Sequence, residues 1–475
     1  MIFNSWAFVG FFLVVYLLYL QFRHRAQNRL LLLASYVFYS YWDYRFLSLL
    51  LISTAVDFTA GRIIADAHSS RRRKTFLVLS LVINLGLLAA FKYFGFFVES
   101  FASLCSLVGL HPSIPSLRIV LPIGISFYTF QSMSYTIDIY RGRMEPCRNL
   151  LDFALYVAFF PQLVAGPIER ATHLLGQITS PRAITGDRLR SALWLLLQGY
   201  FLKVLVADNA SLLVDRAFRA AAPSGFEALI GIYAFALQIL ADFCGYSRIA
   251  RGVAGLMGFD LVVNFRQPYF AVNPSDFWKR WHISLSSWLR DYLYIPLGGN
   301  RNGQARTLRN LMLTMLLGGL WHGGAWRFVI WGAYHGALLI LFRLLGRRDP
   351  APPRLRGLQM IGYFQLTCFG WLIFRCESLE QILTFPAAIL RGISIDPDML
   401  GVFLLLAVPT FLLEFYNEMA MQKTWQRWAQ RIPLLRVTGQ WGFHWAFRTV
   451  AVIGMLLLLF LCGHRGGEAF IYFQF

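Results

Sequence analysis

Long apolar runs constrain the fold of this chain more than any other feature of its sequence. A helix needs roughly 20 consecutive apolar residues to span a bilayer. Runs of about this length lie near residues 6–22, 30–63, 75–98, 119–137, 151–165, 190–208, 226–241, 310–341, 358–375, 399–415 and 446–462. We expect the second run to hold two short helices and a few runs to be re-entrant. The pattern predicts an all-α polytopic membrane protein with about eleven transmembrane helices.

Composition excludes a soluble class. Of the 475 residues, 57% are hydrophobic and only 14% are charged, whereas soluble domains average roughly 25% charged residues. We find no internal repeat and no low-complexity tail, so we expect one membrane domain over residues 1–475. The stretch 347–356 is the clearest linker within it.

The formal charge of +20 does not indicate nucleic-acid binding, because the basic residues cluster in short loops between apolar runs. Such clusters mark cytoplasmic loops and hold lipid head groups. Part of the excess could attract an anionic cytosolic donor such as a coenzyme A thioester. The clusters include residues 71–74, 347–356 and 423–436. Together with Arg23 and Arg25 after the first run, they predict that both termini are extracytoplasmic.

His322 lies near the middle of the apolar run 311–341, flanked by Trp321 and Trp326. A titratable group at membrane depth is a functional-site hypothesis by default, and imidazole suits proton transfer near neutral pH. The glycine pairs at 318–319 and 323–324 would let a ligand or another backbone approach closely. A packed helix with a structural core histidine is the alternative, and the run alone favours neither.

Residues 242–310 are too polar for simple spans. Irregular backbone survives at membrane depth only where protein or a water-filled cavity covers it, so we expect interfacial and re-entrant helices that build the floor of a cavity. Lys279, Arg280 and Arg290 on this floor could bind the phosphates of a donor. His282 lies here too, and could orient reacting groups or simply cap a helix. Asp242 has no charged neighbour before Arg248 and is also a site candidate.

Three further polar groups receive structural interpretations. Asp138 has Arg141 three residues later, and a local ion pair with it would account for this carboxylate. Asp291 is adjacent to Arg290, and we expect the two to form an interfacial ion pair. His335 follows His322 by thirteen residues, about 220° around a continuous helix, so the two histidines would not share a face.

Several catalytic signatures are missing from the sequence. It contains no GxSxG elbow, no GxxxxGK[ST] loop and no HExxH motif. None of its six cysteines forms a CxxC pair, so we predict no metal site. Any chemistry would therefore depend on histidine, with no bound cofactor.

The C-terminal tail, residues 463–475, is unusually apolar for a chain end. It contains Phe470, Tyr472 and Phe475. The tail could anchor at the membrane interface, or fold back and carry the Tyr472 hydroxyl inward.

The chain resembles the membrane-bound O-acyltransferase superfamily over nearly its whole length. Within that superfamily it is most similar to the branch of the alginate O-acetylation and teichoic acid D-alanyl transfer proteins. The matching stretches are LPIGISFYTFQSMSYTIDIYR (121–141), FPQLVAGPIER (160–170), DFCGYS (242–247), NFRQPY (264–269), FWKRWHISLSSWLRDYLYIPLGGN (277–300) and GLWHGG (319–324). Cys244, Arg248 and the middle of 264–269 depart from the common pattern.

The resemblance implies a bowl-shaped helical fold with a tunnel, in a bacterial inner membrane. It makes His322 the essential histidine and His282 its partner. Phe470, Tyr472 and Phe475 match an FxYxxF motif. In relatives its tyrosine is proposed to enter the tunnel from outside, accept the acyl group and pass it to an extracytoplasmic partner.

The implied reaction moves acetyl from cytosolic acetyl-CoA to an extracytoplasmic polysaccharide, through a serine-hydrolase-like (SGNH-type) partner. Asp242, Lys279, Arg280, Arg290 and Trp321 would contact the donor. An alginate-like polymer is the first expectation, with peptidoglycan or teichoic acid as alternatives. A polysaccharide transporter that uses His322 and Asp242 as a proton relay is the alternative of another class, although no repeated halves are present.

Overall fold

The computed structural model describes residues 1–110, 120–164, 166–346, 353–421 and 433–463. Within these ranges the chain is helical and contains no strand, which confirms the all-α prediction. Seven stretches are long and apolar enough to cross a membrane, compared with the eleven runs expected. They are Tyr44–Asp66, Ser70–Leu107, Gly186–Arg219, Gly225–Leu256, Trp326–Leu344, Leu355–Arg375 and Pro397–Met419. Shorter apolar helices account for three of the remaining runs, Trp6–Gln21, Leu150–Leu163 and Arg448–Cys462.

The first part of the chain forms eleven α-helices among its described residues. They are α1 (Trp6–Gln21), α2 (His24–Ser40), α3 (Leu47–Asp66), α4 (Ser70–Leu88), α5 (Phe94–Leu107), α6 (Ile125–Tyr140), α7 (Leu150–Ala158), α8 (Phe160–Leu163), α9 (Ala171–Thr179), α10 (Gly186–Tyr200) and α11 (Asp208–Arg219). The run 30–63 thus holds two helices, as expected. Wide π-helical turns, Ala89–Tyr93 and Phe201–Ala207, join α4 to α5 and α10 to α11.

The second part forms nine more helices among the described residues. They are α12 (Gly225–Leu256), α13 (Pro274–Trp278), α14 (Ile283–Leu289), α15 (Gln304–His322), α16 (Trp326–Leu344), α17 (Pro353–Arg375), α18 (Leu379–Arg391), α19 (Pro397–Met421) and α20 (Pro433–Cys462). The expected linker 347–356 is therefore shorter on its C-terminal side, because α17 begins at Pro353.

The expected floor begins later than residue 242. Helix α12 is 32 residues long and continues to Leu256, buried along most of its length. It tolerates Asp242 and Arg248 because each pairs with a buried side chain of opposite charge on another helix. Asp242 lies 2.8 Å from Lys203, and Arg248 lies 2.6 Å from Glu414. The irregular segment that follows spans residues 257–303, with α13, α14 and a π-helical turn at Arg290–Tyr294. We keep the name floor for it, and its re-entrant or interfacial position stays a prediction.

The run 310–341 is not one helix. It forms the antiparallel hairpin of α15 and α16, which breaks at Gly323, where the backbone is extended. Glycines bring the two backbones into contact. A Cβ built on Gly319 would lie 2.2 Å from the Phe328 carbonyl oxygen, and one on Gly332 would lie 2.3 Å from the Met315 carbonyl oxygen. Small residues at helix contacts are the usual means of close packing in membranes.

Gly332→Ala tests this contact. We expect it to destabilise the protein by about 1–3 kcal/mol, the usual cost of overpacking, because the new methyl group would meet backbone and not a flexible side chain. The measurement is the thermal midpoint in detergent, followed by fluorescence-detected size exclusion. Gly362→Ala is the matched control, since nothing lies within 4 Å of its Cβ position. Equal midpoints for the two variants would contradict the packing account.

Candidate active site

His322 is the last residue of α15 and is buried, with 4% of its surface exposed. Its ring contacts three aromatic rings. The centroid distances are 5.1 Å to Trp321, 5.1 Å to Trp331 and 5.5 Å to Phe374. The glycine pairs around it are filled by the protein itself, since a Cβ on Gly323 would lie 2.2 Å from the Phe328 ring. The close approach expected from the sequence is therefore made by protein atoms at these glycines.

His282 lies next to His322, with a ring-centroid distance of 6.4 Å. The two residues are forty positions apart, and they meet because the floor folds under the hairpin tip. His282 precedes α14 and has φ 43° and ψ 54°, a left-handed conformation that is uncommon outside glycine. Asn264 holds the following turn, since its backbone and side-chain oxygens accept from Ile283 N at 2.9 Å and Ser284 N at 3.2 Å.

The ring of His282 is fully buried, and neither ring nitrogen has a hydrogen-bond partner within the part of the chain that the structure describes. Its neighbours are the rings of Phe243 at 4.7 Å and Trp321 at 5.7 Å. Buried polar atoms in native proteins are nearly always hydrogen-bonded, so an exception calls for an explanation. A substrate that bonds this imidazole would supply one.

A small cavity of about 50 Å³ adjoins His322 and Trp321. Lys92 and Ser126 supply polar lining beside His322, and residues 121–127, which lead into α6, supply much of the rest. A second cavity of about 220 Å³ shares Ile123 and Val164 with the first. Its aromatic lining comes from Phe38, Tyr39, Tyr41 and Trp42 at the end of α2. His322 thus borders the smaller cavity, and the larger one lies next to it at the end of α2.

An aromatic row connects His322 to the floor on its other side. Trp331 contacts His335 at 4.7 Å, and His335 contacts Trp278 at 5.4 Å, next to the exposed Lys279. The expected separation of His335 from His322 assumed a continuous helix and was wrong. Because the chain reverses at Gly323, both histidines pack against Trp331. His335 remains a structural residue by prediction.

Asp242 does not face the cavity. Its carboxylate lies 2.8 Å from Lys203 Nζ, and the same ammonium lies 2.7 Å from Asp208, with all three side chains buried. Its partner Lys203 lies 39 positions earlier within an apolar run, so a search among nearby residues misses it. This geometry favours a structural role for Asp242.

The three floor cations differ in their partners. Arg280 pairs with Asp276 at 2.9 Å and Glu418 at 3.0 Å, so its charge is already compensated. Lys279 is exposed, and Arg290 is exposed and pairs with Asp291 at 2.7 Å, as predicted.

Asp291 also lies 2.6 Å from Arg170. Partial burial would raise the pKa of Asp291, but the hydrogen bonds from Arg290 and Arg170 lower it below its usual value.

Asp138 was assigned the wrong partner. It accepts a hydrogen bond of 2.6 Å from the Tyr292 hydroxyl and lies 3.4 Å from Arg143. Arg141 instead donates to the Asp291 carbonyl oxygen at 3.1 Å, because α6 ends at Tyr140 and the chain turns away.

Two residues complete the comparison with the sequence analysis. Tyr472 lies outside the described residues, together with Phe470 and Phe475. Lys92 was missed, although it is a lone cation in the run 75–98. Lys92 is, like His322, a titratable group among apolar residues, and this signal marks both as candidate site residues.

Comparison with known proteins identifies the class of the protein. Residues 147–385 match the membrane-bound O-acyltransferase family. The chain belongs to this family, and it is an O-acyltransferase.

Three relatives refine the comparison. The chain is 44% identical to a probable alginate O-acetylase of Azotobacter vinelandii over 390 residues, 82% of this chain and 78% of the relative. It is 37% identical to a probable alginate O-acetylase of Pseudomonas putida over the full length of both. It is 33% identical to a peptidoglycan O-acetyltransferase of Helicobacter pylori, over 81% of this chain and 78% of the relative.

Asp242→Asn tests the structural role of the buried ion cluster. The variant removes one of the two carboxylates that pair with buried Lys203, and Asp208 remains. We therefore expect a lower thermal midpoint, at a cost below that of a buried charge left without any partner, which is about 3–5 kcal/mol. The rate constant per folded molecule should stay near that of the unmodified protein. Asp208→Asn is the matched control, because it removes the other carboxylate of the same lysine. A folded Asp242→Asn protein without activity, beside an active Asp208→Asn protein, would restore Asp242 to the site.

Proposed function

We propose that this O-acyltransferase moves acetyl from acetyl-CoA on the cytosolic side of a bacterial inner membrane to a polysaccharide on the other side. Identities of 37–45% to probable alginate O-acetylases favour an alginate-like polymer. The relation to a peptidoglycan O-acetyltransferase makes peptidoglycan the second candidate. We propose one membrane domain over residues 1–475, with both termini extracytoplasmic, in line with the basic loops.

The observation that carries the proposal is the meeting of His282 and His322 beside a cavity. In the proposed reaction, His322 removes the proton of an acceptor hydroxyl as its oxygen attacks the thioester carbonyl. The tetrahedral intermediate then expels the coenzyme A thiolate, which takes the proton from His322. The thioester is replaced by an ester of similar reactivity, so no ATP is consumed.

His282 has a positioning role in this proposal. Its nitrogens have no partner among the described residues, so one of them is available to hydrogen-bond a substrate atom near His322. Its left-handed backbone fits a residue whose orientation is fixed by its surroundings, since such strain is concentrated at functional sites. Trp321 contacts both imidazoles, at 5.7 Å and 5.1 Å, and would form the wall that separates them from lipid.

The donor would approach from the floor. Lys279 and Arg290 are exposed there and suit the phosphates of coenzyme A, whereas Arg280 has two carboxylate partners and is the weaker candidate. The aromatic row of Trp278, His335 and Trp331 leads from Lys279 to His322 and would guide the thioester arm inward.

The acceptor would approach from the opposite end, through the cavity lined by Tyr39 and Trp42. We propose that Tyr472 enters there, receives the acetyl group on its hydroxyl, and presents it to an SGNH-type partner. That partner would transfer the acetyl group to the polysaccharide. A transporter of the polymer is disfavoured, because Asp242 is engaged with Lys203 and cannot form a simple relay with His322.

His322→Gln tests the catalytic base. We expect the rate of acetyl transfer to fall by about 10²–10⁴-fold, the usual contribution of a general base. The measurement is release of coenzyme A and transfer of labelled acetyl from acetyl-CoA by the purified protein. His68→Gln is the matched control, because His68 is exposed and lies far from the site in the sequence. Retained turnover in His322→Gln would refute the assignment. Polymer export without any thioester cleavage by the unmodified protein would favour the transporter.

Tyr472→Phe tests the relay. The substitution keeps the aromatic ring and removes only the acyl-accepting hydroxyl, so we expect no acetylated polymer and no labelled acetyl on the protein. Phe473→Tyr in the same chain would not rescue the loss if the position of the hydroxyl matters. Mass spectrometry of the C-terminal peptide and the ester content of the polymer report the two outcomes. Normal polymer acetylation by Tyr472→Phe would exclude the relay and leave His322 unaffected.

A further inference from the structure

Lys92 is the charged residue of the cavity lining that the proposed reaction does not use. It lies in the π-helical turn Ala89–Tyr93, between α4 and α5 in the middle of a 38-residue apolar stretch. Its side chain lines the same cavity as His322. Single π-helical turns are rare and occur often at functional sites.

The ammonium group of Lys92 has two hydrogen bonds. Its Nζ donates to the Trp321 carbonyl oxygen at 2.7 Å and to Ser126 Oγ at 3.1 Å. It also lies 5.5 Å from the centre of the Trp321 ring. An ammonium group has three N–H donors, and the third has no acceptor among the residues that the structure describes.

A structural role explains only part of this arrangement. The Trp321 carbonyl is at the C-terminal end of α15, where the last carbonyls lack helical partners and a cation is favourable. That accounts for one N–H. No carboxylate lies within 4 Å of Lys92 among the described side chains, so its charge has no acidic partner there. An unpaired charge among apolar residues is costly, and a negative charge that forms in the cavity would offset this cost.

The turn and the hairpin tip hold each other in place. A Cβ on Gly324 would lie 2.9 Å from the Lys92 carbonyl oxygen, so the glycine is what allows the two backbones to touch. Trp321, which Lys92 binds, directly precedes His322. The ammonium and the imidazole are therefore positioned by one short piece of chain, which is the preorganisation that charge stabilisation in a transition state requires.

We propose that Lys92 is a catalytic residue that binds the carbonyl oxygen of the acyl donor and stabilises the oxyanion formed from it. The inference rests on the proposed acyl transfer. As the acceptor oxygen bonds to the carbonyl carbon, the carbonyl electron pair moves to oxygen and accepts the third N–H of Lys92. The pair returns when the C–S bond breaks. Lys92 keeps its proton throughout, and the proton of the acceptor hydroxyl travels through His322 to the thiolate.

Lys92→Met and Lys92→Arg in the full-length purified protein test the proposal. Methionine has a similar length without the charge or the donors, whereas arginine keeps both. Loss of one oxyanion donor costs about 10²–10³-fold in kcat, so we expect that loss in Lys92→Met, with KM for acetyl-CoA changed less than about threefold. The kcat of Lys92→Arg should be at least about tenfold higher than that of Lys92→Met, since a guanidinium also donates to oxyanions.

Each alternative gives a different result. A role in holding α15 alone would lower the thermal midpoint and leave kcat per folded molecule unchanged, and this overturns the inference. Equal kcat in Lys92→Met and Lys92→Arg would also overturn it, because charge would then be irrelevant. If Lys92→Met does not fold, Ser126→Ala takes its place, because it removes one of the two acceptors that hold the ammonium. A kcat of Ser126→Ala within about threefold of the unmodified value, together with lost activity in Lys92→Arg, would count against the oxyanion role. An active His322→Gln protein would instead refute the proposed function itself.

Discussion

The break between α15 and α16 imposes the main physical constraint on this fold. A helix that ends among apolar elements exposes backbone carbonyls where no bulk water is available to satisfy them, and such an end persists only when other protein groups cover it. Here the covering groups are the Lys92 ammonium on the Trp321 carbonyl, the Phe328 ring against Gly323, and the Lys92 backbone against Gly324. The floor at 257–303 closes the remaining side and brings His282 to His322. The proposed chemistry depends on this arrangement, because it gives the imidazole a cavity without admitting lipid.

Local sequence rules predicted much of the molecule. The apolar runs predicted the helical class and the paired helices within 30–63. The glycines around His322 correctly indicated close approach, although they could not distinguish a ligand from another backbone. The motifs joined His282 to His322, whereas their spacing alone did not, since contacts between distant residues are set by tertiary structure. Tyr472, Phe470 and Phe475 stay predictions, because they lie outside the described residues.

The three errors about polar residues share a cause, which is that each residue was interpreted from its local stretch of sequence. Asp242 was paired with nothing and lies beside Lys203, Asp138 was paired with Arg141 and bonds Tyr292, and His335 was placed on a continuous helix that in fact reverses. For the two carboxylates a long-range contact prevailed over the local one, because a buried charge or polar group is far costlier when unpaired than an exposed one. For His335 the break at Gly323 changed the geometry. Lys92 was overlooked for a related reason, because the role of a single lysine within an apolar run is not evident until its hydrogen-bond acceptors are known.

The Lys203–Asp242 contact has a consequence for how the protein is made. The helices that carry these residues enter the bilayer in succession during synthesis, and a lysine near the centre of a lone helix opposes insertion by about 3 kcal/mol. Asp208 lies on the same stretch as the lysine and can pair with it at once, whereas Asp242 emerges from the ribosome 39 residues after Lys203. Residues 186–219 can therefore enter lipid with their lysine already paired, and the carboxylate of the following helix joins that ion pair afterwards.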